Sequence, residues 1–148
     1  MTKRKNSVKE SPGLQAFAML HRTSIKISNE VYSHLSPRLT TSQFGILEAI
    51  YKNGPLHQVE LAPHILKTTG NITTVVDNLE KLGLVERVRG QRDRRFFQIV
   101  LTPKGSMLIK KLYPAHNQQA DRVMGRLSDE ERDELVRICL KLEGENDK

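Results

Sequence analysis

A single cysteine in 148 residues excludes an internal disulfide. No apolar run approaches the roughly 18 residues that a membrane-spanning helix needs, and no charged-then-apolar signal pattern opens the chain. The expected location is therefore the cytoplasm, without a membrane partner. Signs of catalysis are missing too: there is no phosphate loop, nucleophile elbow or dinucleotide-binding glycine set. Thr69-Gly70-Asn71 comes nearest to a phosphate loop, but it lacks the Lys-Ser/Thr ending and a preceding apolar strand. The histidines His21, His34, His57, His64 and His116 are scattered and no Cys-x-x-Cys occurs, so the ligands of a metal site do not converge. Neither an enzyme, a metal nor a cofactor is expected. Acids are the minority as well: 17 stand against 24 lysines and arginines, a formal net charge of +7. That balance favours a polyanionic partner and says nothing about fold.

What is present suits one domain with a sizeable core, and its most informative stretch is 58–101. Ile72, Val75, Val76, Leu79 and Leu82 recur at the spacing of a helix docked on a core. Thr68 is its expected N-cap, and Gly83 closes it. The other face carries Thr69, Asn71, Thr73, Thr74 and Asn78, short side chains that both donate and accept at base edges in a major groove. Two short strands follow, 84–89 and 95–101, around a loop. Between positions 87 and 95 stand five arginines, Arg87, Arg89, Arg92, Arg94 and Arg95, against one acid, Asp93. Such a tip seeks phosphates. A charge run alone is usually a solvated face, and a polar helix face alone is usually an outside. Side by side they read as a winged helix-turn-helix that binds double-stranded DNA, so the expected fold class is mainly α with a small β-hairpin wing.

In spacing as well as residue type, Leu61-Ala62, the run from Thr68 to Val85, Asp93-Arg94-Arg95 and Leu101-Thr102-Pro103-Lys104-Gly105 resemble the MarR family of bacterial transcription regulators. The resemblance covers most of the chain, and through Leu112-Tyr113-Pro114-Ala115-His116 it leans towards the branch that answers quinones and phenols. It implies that Arg95, oriented by Asp93, enters the minor groove, with Arg94 as second candidate, and that Thr68, Thr69, Gly70, Asn71, Thr73, Thr74 and Asn78 form the recognition surface. Gly70 stands where members often carry proline, and Thr74 where many carry a basic residue. Those departures bear on the operator sequence and leave the binding mode intact.

In chain order, 1–13 is a basic tail that ends in Pro-Gly, read as a solvated extension in preference to an arm on DNA. Leu14, Phe17, Leu20, Ile27, Val31 and Leu35 then predict a long amphipathic helix stopped by Pro37. Thr40 and Gln43 open a second helix at capping-box spacing, with Phe44, Leu47, Ile50 and Tyr51 inward. A third is expected from about His57 to Leu66, burying Val59, Leu61, Ala62 and Ile65. After the wing, Thr102 and Pro103 start a helix through Met107, Leu108, Leu112, Ala115, Ala120 and Val123, with a kink or a break at Pro114. Ser128 and Glu131 cap the last helix, which buries Leu135, Ile138 and Leu142 before Gly144.

The terminal helices have apolar faces that a winged module of about 60 residues cannot cover, and the resemblance implies that they interlock two subunits. The expected organisation is a tail (1–13), an N-terminal dimerisation helix (14–38), the winged helix-turn-helix (39–101), C-terminal dimerisation helices (102–143) and a tail (144–148). The resemblance also implies a repressor on a near-palindromic operator, released by a small ligand bound where the module meets the dimer helices. The lining candidates are Phe17, His21, Phe44, Tyr113 and His116, which suit a phenol, quinone or aromatic acid, although each single aromatic reads first as plain core packing. Cys139, beside Leu135, Ile138 and Leu142 with no base next to it, reads as an inert thiol. An architectural DNA-binding or protein-interaction module that senses nothing remains open, and would be told apart by its tolerance of most DNA sequences.

Overall fold

Ser11 sets the first boundary. Its hydroxyl accepts from the Leu14 N–H at 3.2 Å, and Pro12 takes the first helical position, where its missing N–H costs nothing. Helix α1 therefore runs Pro12–Val31: the Pro-Gly pair expected to break the chain opens the helix instead. The computed structural model describes residues 10–35, 39–65, 72–89 and 97–144. A 3-10 turn, Tyr32–His34, finishes α1.

Helix α2 (Thr41–Asn53) begins with the predicted capping box, Thr40 Oγ1 accepting from Gln43 N at 3.1 Å and Gln43 Oε1 accepting from Thr40 N at 2.8 Å. It buries Phe44, Ile46, Leu47, Ala49 and Ile50, whereas Tyr51, expected inside, is exposed. Strand β1 (Leu56–His57) follows. The third helix predicted from 57 to 66 is instead a 3-10 segment, Gln58–His64. Pro63 explains the difference: an α-helical turn would need its N–H, and the ring crowds the carbonyl four residues back. Leu61 and Ile65 are buried, but Val59 is 81% exposed and Ala62 lies outside.

Helix α3 (Ile72–Lys81) sinks Val76 and Leu79 fully into the core. Leu84 N donates to Leu79 O at 2.9 Å and Gly83 N to Glu80 O at 2.8 Å, a Schellman ending that requires the positive φ of 69° at Gly83. Leu82, counted in the inward stripe, falls past the helix end and is exposed. Strands β2 (Val85–Arg89) and β3 (Phe97–Leu101) pair antiparallel with Arg87 opposite Ile99. β1 adds a third, unpredicted strand, with Leu56 opposite Ile99 on β3's other edge, giving the order β1-β3-β2.

Helix α4 (Pro103–Met124) is capped by Thr102, whose hydroxyl accepts from Gly105 N at 3.0 Å, and Pro114 does not divide it. Its buried stripe is Gly105, Ile109, His116 and Val123, while Met107 and Ala115, expected inside, are exposed. Helix α5 (Asp129–Glu143) has the predicted Ser128–Glu131 capping box and ends at Gly144, φ 85°. One core, of residues from α2, the 3-10 segment, α3, the sheet and α4, holds the winged module together. Neither α1 nor α5 buries any residue. Leu14, Phe17, Leu20 and Ile25 on α1, and Val136, Ile138 and Leu142 on α5, stay exposed, and Cys139 is half-buried. Two polar links join the end of α1 to α4 and the residues after it: Gln119 Nε2 donates to Glu30 O at 2.8 Å, and Arg126 pairs with Glu30 at 2.5 Å. Among the described residues no helix is long and apolar enough to cross a membrane.

Candidate nucleic-acid interface

With Val76 and Leu79 buried, helical geometry turns the opposite side of α3 outward. Thr73, Thr74 and Asn78 all lie exposed there. Gln58 Nε2, from the 3-10 segment, donates to Thr73 Oγ1 at 2.6 Å, so the segment before α3 also steadies its outer face. Thr68, Thr69, Gly70 and Asn71 lie outside the described residues, as do Arg92, Asp93, Arg94 and Arg95 of the wing.

Of the two described wing arginines, Arg89 is exposed, its guanidinium 6.0 Å from the Phe97 ring centroid. Arg87, read in the sequence as part of the phosphate-seeking tip, is half-buried. Its guanidinium turns back onto α3, pairing with Asp77 at 2.6 Å and with Glu80. Strand alternation accounts for this: Arg87 lies on the sheet face that packs against α3, where two carboxylates one turn apart meet it.

The far end of α3 is joined to α4. Thr102 Oγ1 donates to Gly83 O and Lys104 Nζ to Leu82 O, each at 2.7 Å, and Thr102 N donates to Leu84 O at 3.1 Å. A lysine on the last carbonyls of a helix also complements its dipole. Thr102 and Lys104 were legible in the sequence as part of a motif, but their role in closing α3 was not.

The five cavity candidates do not converge. Phe17 and His21 stack on the outside of α1, with centroids 6.0 Å apart, and Tyr113 packs edge-on against Tyr51 at 5.4 Å. Phe44 and His116, from α2 and α4, meet at 4.6 Å. They do so with two residues that the sequence reading passed over: Tyr32 and His34 lie 5.0 and 5.1 Å from His116. Both come from the 3-10 turn, whose direction depends on tertiary packing and leaves no periodic signal. Tyr32 also borders a separate cavity of about 270 Å³, lined with it by His21, Ser24, Ile25, Ser28, Asn29 and Thr41.

His34 Nδ1 lies 2.9 Å from Val31 O, which can only accept, so Nδ1 carries a proton. Among the described residues neither His34 Nε2 nor His116 Nδ1 has a hydrogen-bond partner. Burial pushes the His116 pKa below the usual imidazole value; His34 and Lys52 push the same way and Glu48 opposes them. The folded state therefore takes up the His116 proton only at a lower pH than an unfolded chain, which does so at about pH 6.5. Stability from this group is present above pH 6.5 and is lost as pH falls from there towards the lower folded value. Denaturant midpoints at pH 7.5 and 5.5 should differ, and His116→Gln should reduce the difference. An unchanged difference in the variant would assign the acid sensitivity elsewhere. Among the described residues no group of three His, Cys, Asp or Glu is placed to hold a metal.

Comparison with known proteins agrees with this geometry. The sequence model of the MarR family matches residues 39–96. The HTH-type transcriptional regulator YkoM of Bacillus subtilis is 32% identical over 130 residues, 88% of this chain and 80% of that one. Among solved structures, Bordetella bronchiseptica BpsR, whose DNA binding is regulated by 6-hydroxynicotinic acid, superposes with a TM-score of 0.78 at 22% identity, over 93% of this chain and 99% of that one. A mutant MarR from E. coli complexed with operator DNA gives 0.73 at 23% identity, over 85% and 91%.

Proposed function

Because the chain belongs to the MarR family of DNA-binding transcriptional regulators, we propose that it acts as a homodimeric repressor of a near-palindromic operator and is released by a small aromatic ligand. The observation that carries this reading is the outward face of α3, where Thr73, Thr74 and Asn78 stand exposed above a helix side sunk in the core. Two such helices, related by a twofold axis, enter successive major grooves about 34 Å apart. Asn78 and Thr74 then read base edges, while Arg89 and the wing tip, with Arg95 oriented by Asp93, neutralise phosphates or enter the minor groove.

The uncovered apolar faces of α1 and α5 support the dimer, since contiguous exposed patches of this kind mark interaction surfaces. Sedimentation equilibrium at micromolar concentration should give the mass of two chains, and a monomer would remove the proposal. For the effector, the cavity bordered by His21 and Tyr32 holds about 270 Å³. That lies just below the common range of roughly 300–1,000 Å³ for ligand pockets and suits a single-ring compound.

Fluorescence anisotropy at fixed salt tests the function directly, comparing duplex from upstream of the protein's own gene with a shuffled duplex of equal composition. A strong preference for the native duplex is expected, and phenols, quinones and aromatic acids can then be titrated for release. Equal, salt-sensitive binding to both duplexes, with bending, would favour an architectural role instead. Asn78→Ala and Thr74→Ala should each relax preference at particular operator positions, by about 1–3 kcal/mol for a well-made base contact.

A further inference from the structure

We propose that Arg87 is a positioning residue for DNA binding: it fixes the wing against the recognition helix and does not itself touch DNA. Three bonds carry the assignment. The guanidinium reaches Asp77 Oδ1 at 2.6 Å through Nη2 and Glu80 Oε2 through Nη1, and the Arg87 backbone N–H donates to Glu80 Oε1 at 3.1 Å. Glu80 thus grips both the side chain and the main chain of one strand residue. Asp77 and Glu80, three apart, lie on one face of α3, so a planar fork joined to both sets the strand's distance from the helix and its rotation about it. The Arg87 side chain is 24% exposed and those of Asp77 and Glu80 are 46% and 33%. The site is half-buried and less screened by solvent than an ordinary surface pair.

The cluster's charges make the inference testable by sign. Two carboxylates on a helix that must approach a polyanion are unfavourable on Coulomb grounds alone. Were they only surface charges, the double variant Asp77→Asn with Glu80→Gln would bind DNA more tightly, having lost two negative charges. As anchors of the wing they are needed, and the double variant binds its preferred duplex more weakly. Arg87→Lys gives a second contrast. Lysine keeps the charge that a phosphate contact would require, but its single ammonium cannot fork between two carboxylates.

The experiment measures Arg87→Ala, Arg87→Lys and the double variant by anisotropy on preferred and shuffled duplexes across a salt series. A thermal melt of each serves as a folding control. The expected result is about a tenfold loss on the preferred duplex in all three, with the shuffled duplex little changed. The salt slope of Arg87→Ala should match that of the unaltered protein. The proposal is overturned if that slope becomes shallower by about 0.9, the signature of one lost phosphate contact, if Arg87→Lys retains full affinity, or if the double variant binds more tightly. The affinity arms rest on the site-specific binding proposed above. Failure of that reading would show in the unaltered protein as equal binding to both duplexes, whereas failure of the brace shows only between variants. Hydrogen exchange without DNA reads the brace independently. Backbone amides of Val85–Arg89 should exchange faster in Arg87→Lys than in the unaltered protein, and unchanged exchange would overturn the assignment.

Discussion

Replacing Gly105 by alanine should lower the melting temperature by roughly 6–12 °C, the equivalent of about 3 kcal/mol in a chain of this size. A Cβ at this position would stand 1.9 Å from the carbonyl oxygen of Leu84 and 2.9 Å from its carbon. Both are backbone atoms and no rotamer change relieves them. The same oxygen accepts from Thr102 N at 3.1 Å, so moving it away costs that bond as well. α4 would have to lift off the end of α3, taking Lys104 from Leu82 O, and DNA binding should weaken along with the fold. Gly13 on α1 is the control, because a Cβ there meets nothing within 4 Å. Gly13→Ala should be neutral or stabilise by up to about 1 kcal/mol through helix propensity. Melts followed by circular dichroism read both variants. A Gly105→Ala melt within about 2 °C of the parent would mean that α4 does not lie this close to Leu84.

The second large effect is expected at Phe44. It is fully buried on α2 and meets Tyr32 and His34 edge-on at 6.0 and 5.9 Å as well as His116 at 4.6 Å. Truncation to alanine should cost about 3–5 kcal/mol, combining lost burial with the cavity left behind. Phe44→Leu, which keeps most of the volume, should cost appreciably less. Denaturant titration separates the two, and near-equal losses would indicate that ring geometry matters more than filled space. Opening this wall also admits water to His116, so the acid sensitivity described above should weaken in Phe44→Ala even after correction for its lower stability.

The sequence announced most clearly what is decided within one turn of chain. Thr40 with Gln43, Ser128 with Glu131 and Thr102 before Pro103 each opened their helix as the capping rules require, because both partners of every bond are near neighbours. The inward side of α3 was equally legible at Val76 and Leu79. The misreadings have local or long-range causes that can be named. Pro12 and Pro63 are both prolines beside helical patterns, and only their place in the turn decides whether one opens α1 and the other forces a 3-10 segment. β1 exists because Leu56 finds Ile99, 43 positions away, and two residues carry no alternation to detect. Arg87 looked like its neighbours in a basic run. Its partners lie on the preceding helix, and a count of charges does not contain that direction. Tyr32 and His34 were missed for a related reason, since the aromatic cluster assembles from the 3-10 turn, α2 and α4.

The seam between α3 and α4 makes a gear of the two helices. Three donors from Thr102 and Lys104 fasten the three carbonyls that follow α3, those of Leu82, Gly83 and Leu84, so a tilt of one helix is handed to the other. His116 sits 14 residues along the 22-residue α4, about 21 Å from the joint at 1.5 Å per residue. Over that arm a swing of about 5° corresponds to a displacement of about 2 Å. Hydrogen bonds to base edges tolerate only a few tenths of an ångström beyond about 3 Å. The base contacts proposed for Asn78 and Thr74 stand about 8 and 14 Å from the same joint along α3, so a swing of about 5° passed on to α3 moves them by about 0.7 and 1.2 Å, more than those bonds tolerate.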